Sequence, residues 1–265
     1  MHGNFVIYLQ KSYRDLAPVV LVFVIALALP PFELFQERAA GMLQLHLLLE
    51  LFAVIVALLI AIISWHALEI KRPDESTILL AGFTAVAVID LVHALSYDGM
   101  PRLIPDGSTP KAIFVWVAGR VLAVLTLLSV ALELKPPLSR RFALLLALAM
   151  SGLIFWLGSF HLDWLPSTFV PGIGVTTFKT GFEYVLSLMN VLVAGIFIYK
   201  ANPQSSSRSF TLATSSLIMG MGEVVFSSYK APSDFLNNFG HVFKVLSYVF
   251  LYRSVFVSAI RLPYE

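Results

Sequence analysis

Long apolar stretches recur along the whole chain and constrain its fold more than any other feature. About eight of them are long enough for a helix across a bilayer, which takes roughly 17–25 residues. They cover residues 16–32, 42–69, 77–97, 111–133, 139–159, 179–200, 208–228 and 236–258. The stretches are continuously apolar rather than alternating, which predicts helices and not the strands of a barrel. The sequence therefore predicts an all-α, polytopic membrane helix bundle.

Charged residues are too scarce to cover a water-facing surface. They make up 13% of the 265 residues, and hydrophobic residues make up 58%. Soluble domains average about 25% charged residues, so an ordinary soluble enzyme is excluded. The formal net charge of +2 is too small to attract a polyanion, and we expect no nucleic-acid partner. The predicted partner is the lipid bilayer. The sequence has no cysteine, so any bound metal would have to be coordinated by His, Asp, Glu or backbone groups.

Lysine and arginine are distributed unequally between the two sides of the predicted bundle. With the N terminus inside, the cytoplasmic segments hold Lys11, Arg14, Lys71, Arg72, Lys135, Arg140, Arg141, Lys200, Arg208, Arg253 and Arg261. The outer loops hold only Arg38, Arg102, Lys111 and Lys230. The positive-inside rule then places both termini of an eight-span bundle in the cytoplasm. We expect the first stretch to be a retained anchor helix, with a cleaved signal peptide as the alternative.

Ionisable side chains occur within the predicted helices, and nearly all of them lie at the depth of the outer leaflet. Such groups are costly in hydrocarbon, so each one marks a candidate functional site. We predict one polar ligand-binding pocket that opens toward the outer face. Its candidate residues are His46, Glu50, Asp90, His93, Tyr97, Arg120, His161, Lys179, Glu183, Glu223, His241 and Lys244.

Two pairs of histidine and carboxylate have helical spacing. His46 and Glu50 are separated by four positions, and Asp90 and His93 by three, so each pair shares one helix face. Facing pairs of this kind form metal sites in helical bundles. Neutral imidazoles with carboxylates suit zinc, iron, manganese or copper(II). These four residues are therefore candidate metal ligands. A bound haem is the alternative to a metal ion.

Other interpretations of the same charges stay open. Four carboxylates nearly balance the cations Arg120, Lys179 and Lys244, as in a structural ion-pair network that joins helices. An organic or anionic ligand is a further alternative. The three cations would repel a metal dication unless they are salt-bridged. The loop of residues 163–174, rich in Pro and Gly, is either a lid over the pocket or an interfacial loop.

Several separated motifs follow one another in a specific order. They are HLLLE at 46–50, DLVHALSYDGM at 90–100, VWVAGR at 115–120, FH at 160–161, GVTTFKTGFEY at 174–184, and a series of polar and aromatic residues from Glu223 to Ser247. In this order they resemble the bacterial membrane-associated sensor domain of the third MASE type. The family commonly has Leu-Thr-Pro-Phe-Lys where this chain has Val-Thr-Thr-Phe-Lys at 175–179, without the proline.

The resemblance implies a sensor module of the kind found at the N-termini of histidine kinases and diguanylate cyclases. Residues 1–265 would form one transmembrane sensor domain in the bacterial inner membrane, not itself an enzyme. We expect the eighth helix to relay the signal through Arg261-Leu262-Pro263-Tyr264 to a cytoplasmic output domain in cis, with the chain truncated after residue 265. A homodimer is expected, because such output domains work as dimers. The alternative is a metal-dependent integral membrane hydrolase that uses the same histidines and carboxylates.

Overall fold

The protein is described by a computed structural model that covers residues 2–30, 32, 39–66, 73–100, 103–105, 107–202, 206–229 and 234–257. Over these residues it contains eight α-helices. They are α1 (His2–Ala28), α2 (Ala39–His66), α3 (Pro73–Leu95), α4 (Thr109–Ala131), α5 (Arg140–Phe160), α6 (Thr177–Tyr199), α7 (Ser206–Ser228) and α8 (Phe235–Phe256). The predicted all-helical bundle is confirmed, and α1 begins at His2, before the predicted apolar span 16–32.

The segment between α5 and α6 is the exception to the helical pattern. A single 3₁₀ turn at Leu162–Trp164 is followed by a hairpin in which β1 (Phe169–Val170) pairs antiparallel with β2 (Gly174–Val175). Thr168 Oγ1 donates a hydrogen bond of 3.3 Å to the carbonyl of Pro110, at the start of α4. The hairpin is therefore attached to the end of the bundle where α4 and α6 begin.

Side-chain caps determine where several helices begin. Ser108, Ser139, Thr176 and Asp234 precede α4, α5, α6 and α8, and each accepts a hydrogen bond from a backbone N–H of the first turn. Such caps satisfy backbone donors that a helix leaves without intrahelical partners. The caps of α6 and α8 thus define the starting turns of two helices that carry buried lysines.

Polar side chains lie inside the bundle and large apolar side chains lie outside. Leu48, Leu145 and Leu188 are each at least 60% exposed, whereas Glu50 and Asp90 are fully buried. This arrangement is unfavourable in water and favourable in lipid, where apolar groups face the hydrocarbon and charges pair inside. The outer surface of the bundle is therefore suited to a membrane.

Six of the eight described helices, α2 to α7, are long and apolar enough to cross a membrane. The remaining two are α1 and α8. In α8 the buried Asn237, Asn238, His241 and Lys244 lower the mean hydropathy, although their side chains face the protein interior. Several residues used for the predicted orientation lie outside the described residues, namely Arg38, Lys71, Arg72, Arg102, Lys230 and Arg261, as does the closing segment 261–264.

One apolar cluster of the core occupies the half of the bundle where α2 and α4 end and α3 begins. It includes Ala57 and Ile60 near the end of α2, Phe83 near the start of α3, and Leu127 near the end of α4. Helix α8 packs against α2 and α7, and α3 packs against α2, α4 and α5. Buried ionisable side chains gather in the other half, toward the end where α2, α4, α6 and α8 begin and α3 and α7 end.

Candidate functional site

A network of ion pairs joins four helices inside the bundle. Arg120 Nη2 from α4 donates hydrogen bonds of 2.8 and 3.1 Å to the two carboxylate oxygens of Asp90 from α3. Lys244 Nζ from α8 lies 2.7 Å from Glu50 Oε2 in α2 and 3.0 Å from Asp90 Oδ2. All four side chains are at most 2% exposed. We call these residues the ion-pair cluster, in which two cations and two carboxylates compensate one another away from solvent.

Two aromatic side chains cover the cations of the ion-pair cluster. Tyr248 accepts a hydrogen bond of 2.8 Å from Arg120 Nη2 and donates one of 3.3 Å to Asp90 Oδ2. The ring of Trp116 has its centroid 4.7 Å from Arg120 Cζ and 4.7 Å from Lys244 Nζ. Cation–π attraction is strongest where the cation is desolvated, as it is here.

Three histidines from three helices meet beside the ion-pair cluster. His46, His93 and His241 lie on α2, α3 and α8, and one ring nitrogen from each lies within 4.8 Å of the others. His46 Nδ1 is 3.1 Å from His241 Nε2. All three side chains are buried. We call these residues the histidine cluster.

Acceptors behind two of the rings restrict which nitrogen carries the proton. His93 Nδ1 donates a hydrogen bond of 2.8 Å to the carbonyl of Ala112, so a neutral His93 presents the lone pair of Nε2 to the cluster. Glu50 Oε1 lies 2.7 Å from His241 Nδ1 and favours the same tautomer for that ring. Among the described residues, Nε2 of His93 and Nε2 of His46 have no hydrogen-bond partner.

A small cavity adjoins the histidine cluster. Its volume is about 10 Å³, close to the space that one water molecule needs. It is lined by His93, Tyr97, Ile113, Trp116, Phe226, Tyr229, Asn237 and His241. A haem does not fit this cavity. Four of the eight side chains that line this cavity, apart from its histidines, are aromatic, and its opening toward the outer face stays a prediction.

Two tyrosines beyond the ends of α3 and α7 line this cavity. Burial raises the pKa of Tyr97 and that of Tyr229 above the ordinary value of a phenol, so both are neutral. Tyr97 packs on His46 with ring centroids 4.4 Å apart, and its hydroxyl accepts a hydrogen bond of 3.2 Å from Asn237 Nδ2. The cavity wall therefore offers neutral hydroxyl groups next to the imidazoles.

A second group of charges lies between α6 and α7. Lys179 Nζ is 2.8 Å from Glu183 Oε2 and donates a hydrogen bond of 2.6 Å to the carbonyl of Phe226. The same ammonium lies 4.0 Å from the ring centroid of Tyr229. Glu223 interacts electrostatically with Lys179, and also with Arg120 and Lys244 of the ion-pair cluster. The two groups of charges are thus one continuous polar region.

A comparison with known protein families shows to which family the chain belongs. A profile of the membrane-associated sensor domain MASE3 matches residues 38–263. The chain belongs to the MASE3 family. The predicted resemblance is confirmed, and a sensing role with it. No curated protein and no solved structure shows a significant match. The family match begins after α1 and includes the histidine cluster and both groups of charges.

Most of the predicted site residues of this MASE3 domain come together in the structure. The residues gathered at this end of the bundle are His46, Glu50, Asp90, His93, Tyr97, Arg120, Lys179, Glu183, Glu223, His241 and Lys244. His161 lies elsewhere, at the end of α5, where its ring packs between Trp156 and Trp164 at centroid distances of 4.2 and 4.0 Å. Its position in the loop, outside any predicted helix, did not indicate which way its ring would face.

The histidines and carboxylates are grouped differently from the predicted metal set. The set named from spacing was His46, Glu50, Asp90 and His93, whereas the structure joins His46 and His93 to His241. Glu50 lies behind the His241 ring, and Asp90 is engaged by Arg120 and Lys244. Spacing within one helix cannot indicate this grouping, since the third imidazole comes from α8.

Sequence reasoning did not single out Trp116 and Tyr248 as parts of the site. The spacing of each of these residues along its helix nevertheless indicates a place in the site. Trp116 precedes Arg120 by four positions, and Tyr248 follows Lys244 by four, so each shares a helix face with a buried cation. An aromatic residue four positions from a charge in an apolar helix is thus a useful sign of a cation–π contact.

Proposed function

We propose that this MASE3 domain receives a signal at its buried polar centre and relays it through α8. The observation that carries the proposal is the set of contacts made by one face of α8. His241, Lys244 and Tyr248 of this helix contact Glu50, Asp90 and Arg120 on three other helices. The position of α8 therefore depends directly on the state of the centre.

Because the contacts of α8 with the centre are buried ion pairs, the position of α8 should respond sharply to a change at the centre. A charge left without its partner inside a bundle costs several kcal/mol, so the network favours a few discrete arrangements rather than a continuum. A ligand that engages His241 or Glu50 must change how Lys244 is paired. Such a ligand shifts the equilibrium only by its difference in affinity for the two arrangements. The packing of α8 against α2 and α7 is the feature that would change.

The proposal includes a setting for the domain. We place it in a bacterial inner membrane as a multi-pass protein of about eight spans with both termini in the cytoplasm, supported by the distribution of Lys and Arg. The signal would pass from the end of α8 to a cytoplasmic kinase or cyclase domain in cis, within a homodimer. Resemblance to N-terminal sensors of such enzymes supports this arrangement.

The dimensions of the site favour sensing over hydrolysis. A metal-dependent membrane hydrolase needs room for substrate and an attacking water beside its histidines. The cavity next to the histidine cluster, about 10 Å³ in volume, holds one water-sized group and no substrate. A switch that responds to a single small ligand has no such requirement.

Distance measurements between two spin labels, by double electron–electron resonance, test the relay. The natural chain has no cysteine, so Tyr199→Cys at the end of α6 and Arg253→Cys near the end of α8 introduce the sole spin-label sites. Both positions are exposed. We expect Glu50→Gln to shift or broaden the distance distribution between the labels, since helices at switching interfaces move by about 1–2 Å. The matched control is Asp163→Asn, in the exposed turn after α5. Identical distributions in all three proteins would contradict the relay.

A further inference from the structure

The three imidazoles of the histidine cluster are close enough together to bind one ion. Their nitrogens converge from α2, α3 and α8 to within 4.8 Å, and the nitrogens of His46 and His241 are 3.1 Å apart. Zinc–nitrogen bonds are about 2.0–2.1 Å long, so two ligands of one ion lie a little over 3 Å apart in tetrahedral geometry. The contact between His46 and His241 already has this spacing.

We propose that His46, His93 and His241 bind one first-row transition-metal ion, zinc or copper(II). The identity of the ion as the sensed signal rests on the proposed function, whereas the site itself rests on the geometry of the three rings. Neutral imidazole is a preferred ligand of both metals. The buried Nε2 atom of His93 has no hydrogen-bond partner among the described residues and is free to bind.

Groups behind the rings match those that support metal-bound histidines. A ligating histidine usually donates its second ring N–H to a carboxylate or a backbone carbonyl, which fixes the tautomer and orients the ring. The carbonyl of Ala112 does this for His93 at 2.8 Å. The carboxylate of Glu50 is placed to do it for His241, with 2.7 Å between Oε1 and Nδ1. In both rings the supported nitrogen is Nδ1, which leaves Nε2 as the ligand atom.

The charges around the site are compatible with a bound cation. Lys244 and Arg120, which would otherwise repel it, are both paired with carboxylates. Next to the histidines, the carboxylates of Glu50 and Asp90 balance the cations Arg120 and Lys244. The nearby cations are thus compensated, so they do not oppose a bound metal ion as unpaired charges would.

The adjoining cavity leaves a position for one more ligand. Three protein ligands leave a tetrahedral ion with one open coordination position, which water commonly fills. A volume of about 10 Å³ beside His93 and His241 is enough for that water. Binding would join α8 to α2 and α3 through metal bonds, at the same place where the ion pairs already join them.

Metal binding to the purified chain tests the site. The chain is prepared in lipid nanodiscs, stripped with a chelator and reloaded with zinc alone, and zinc per chain is measured by elemental mass spectrometry. We expect about one zinc per wild-type chain. His93→Ala and His241→Ala should each lower zinc affinity by more than the about 10–100-fold that follows loss of a supporting partner. His161→Ala is the matched control, because this histidine lies in the Trp156–Trp164 cluster, and it should bind like wild type.

Cobalt substitution keeps the result interpretable where a variant is poorly folded. Cobalt(II) in a site with nitrogen ligands gives visible absorption bands that depend on its coordination. The absorption spectrum of the folded wild-type chain with bound cobalt therefore shows which kind of ligands surround the ion, and no mutation is needed. A wild-type chain that takes up neither zinc nor cobalt overturns the site. So does zinc binding that His93→Ala and His241→Ala both leave unchanged.

The labelled chain separates the site from the relay. Zinc is added to the Tyr199→Cys, Arg253→Cys protein and the distance distribution is measured again. Binding with a changed distribution supports both proposals. Binding with an unchanged distribution leaves the site in place and overturns zinc as the signal relayed by α8. No binding, together with a shift in the Glu50→Gln variant, overturns the site and leaves the relay.

Discussion

Lys244 Nζ lies 2.7 Å from Glu50 Oε2, although 194 positions separate the two residues in the chain. The second oxygen of the same carboxylate lies 2.7 Å from His241 Nδ1. One side chain of α2 thus belongs to the ion-pair cluster and also supports the histidine cluster. A change at the histidines therefore also affects, through Glu50, the ion pairs that hold α8 in place.

Neutralising Glu50 should weaken the proposed metal site without removing a ligand. Glu50→Gln loses the carboxylate that supports His241 and one partner of Lys244, so zinc affinity should fall about 10–100-fold. A competition titration with a chromophoric chelator at fixed pH measures the change. Glu133→Gln, at the exposed end of α4, should leave zinc affinity at the wild-type value. Equal affinities in the two variants would show that Glu50 does not support the site.

Removal of Arg120 should destabilise the domain strongly. Arg120→Leu leaves Asp90 buried with Lys244 as its remaining cation, and breaking a buried pair costs about 3–5 kcal/mol. Arg253→Leu is the control, because the exposed pair between Arg253 and Asp15, 3.6 Å apart, should contribute at most about 1 kcal/mol. Thermal unfolding of both variants in the same detergent gives the comparison. Similar losses in the two proteins would contradict a central role for the ion-pair cluster.

Gly240 should resist even the smallest side chain. A Cβ at this position would lie 2.4 Å from the ring of Phe226, which packs against His241 with ring centroids 5.0 Å apart. Gly240→Ala must displace that ring, and overpacking of this kind costs about 1–3 kcal/mol.

Gly195→Ala is the control for Gly240→Ala, because a Cβ on Gly195 in α6 meets nothing within 4 Å. This substitution should be neutral or stabilise the fold by about 0.4–1 kcal/mol. Unfolding of both variants in the same detergent, together with zinc titration, measures the difference. If Gly240→Ala is as stable as Gly195→Ala and binds zinc normally, the close packing of Phe226 is unimportant.

Copper(II) should quench the fluorescence of Trp116. Its ring centroid lies 5.2 Å from those of His93 and His241, well within reach of a paramagnetic ion bound at the cluster. The chain has four tryptophans, so the quenched component is defined by comparison with Trp116→Phe. Stoichiometric copper should quench wild type more than this variant. Equal quenching in the two proteins would place the copper elsewhere.

Local properties of the chain account for what could be predicted. Helix α4 was expected at 111–133 and spans Thr109–Ala131, because an apolar run long enough to cross a bilayer has to satisfy its own backbone hydrogen bonds. The predicted apolar span 16–32 covers only the later part of α1, since residues 2–15, which mix polar and apolar side chains, are helical as well. Hydropathy detects residues that face lipid, and it does not detect the polar turns that extend a helix.

The amino-acid sequence was enough to predict a helical membrane bundle, a sensor of the MASE3 family, and most of the buried polar residues near one end of it. Composition, apolar run length and motif order carry that information, and all are local. The three-dimensional packing was needed to show that His241 joins His46 and His93, that Lys244 pairs with both Glu50 and Asp90, and that His161 stays apart. These contacts depend on how α8 packs against α2 and α7 and reaches α3 with its long side chains, and helix packing follows from side-chain shapes across distant segments. The spacing of residues within one helix does not contain that information.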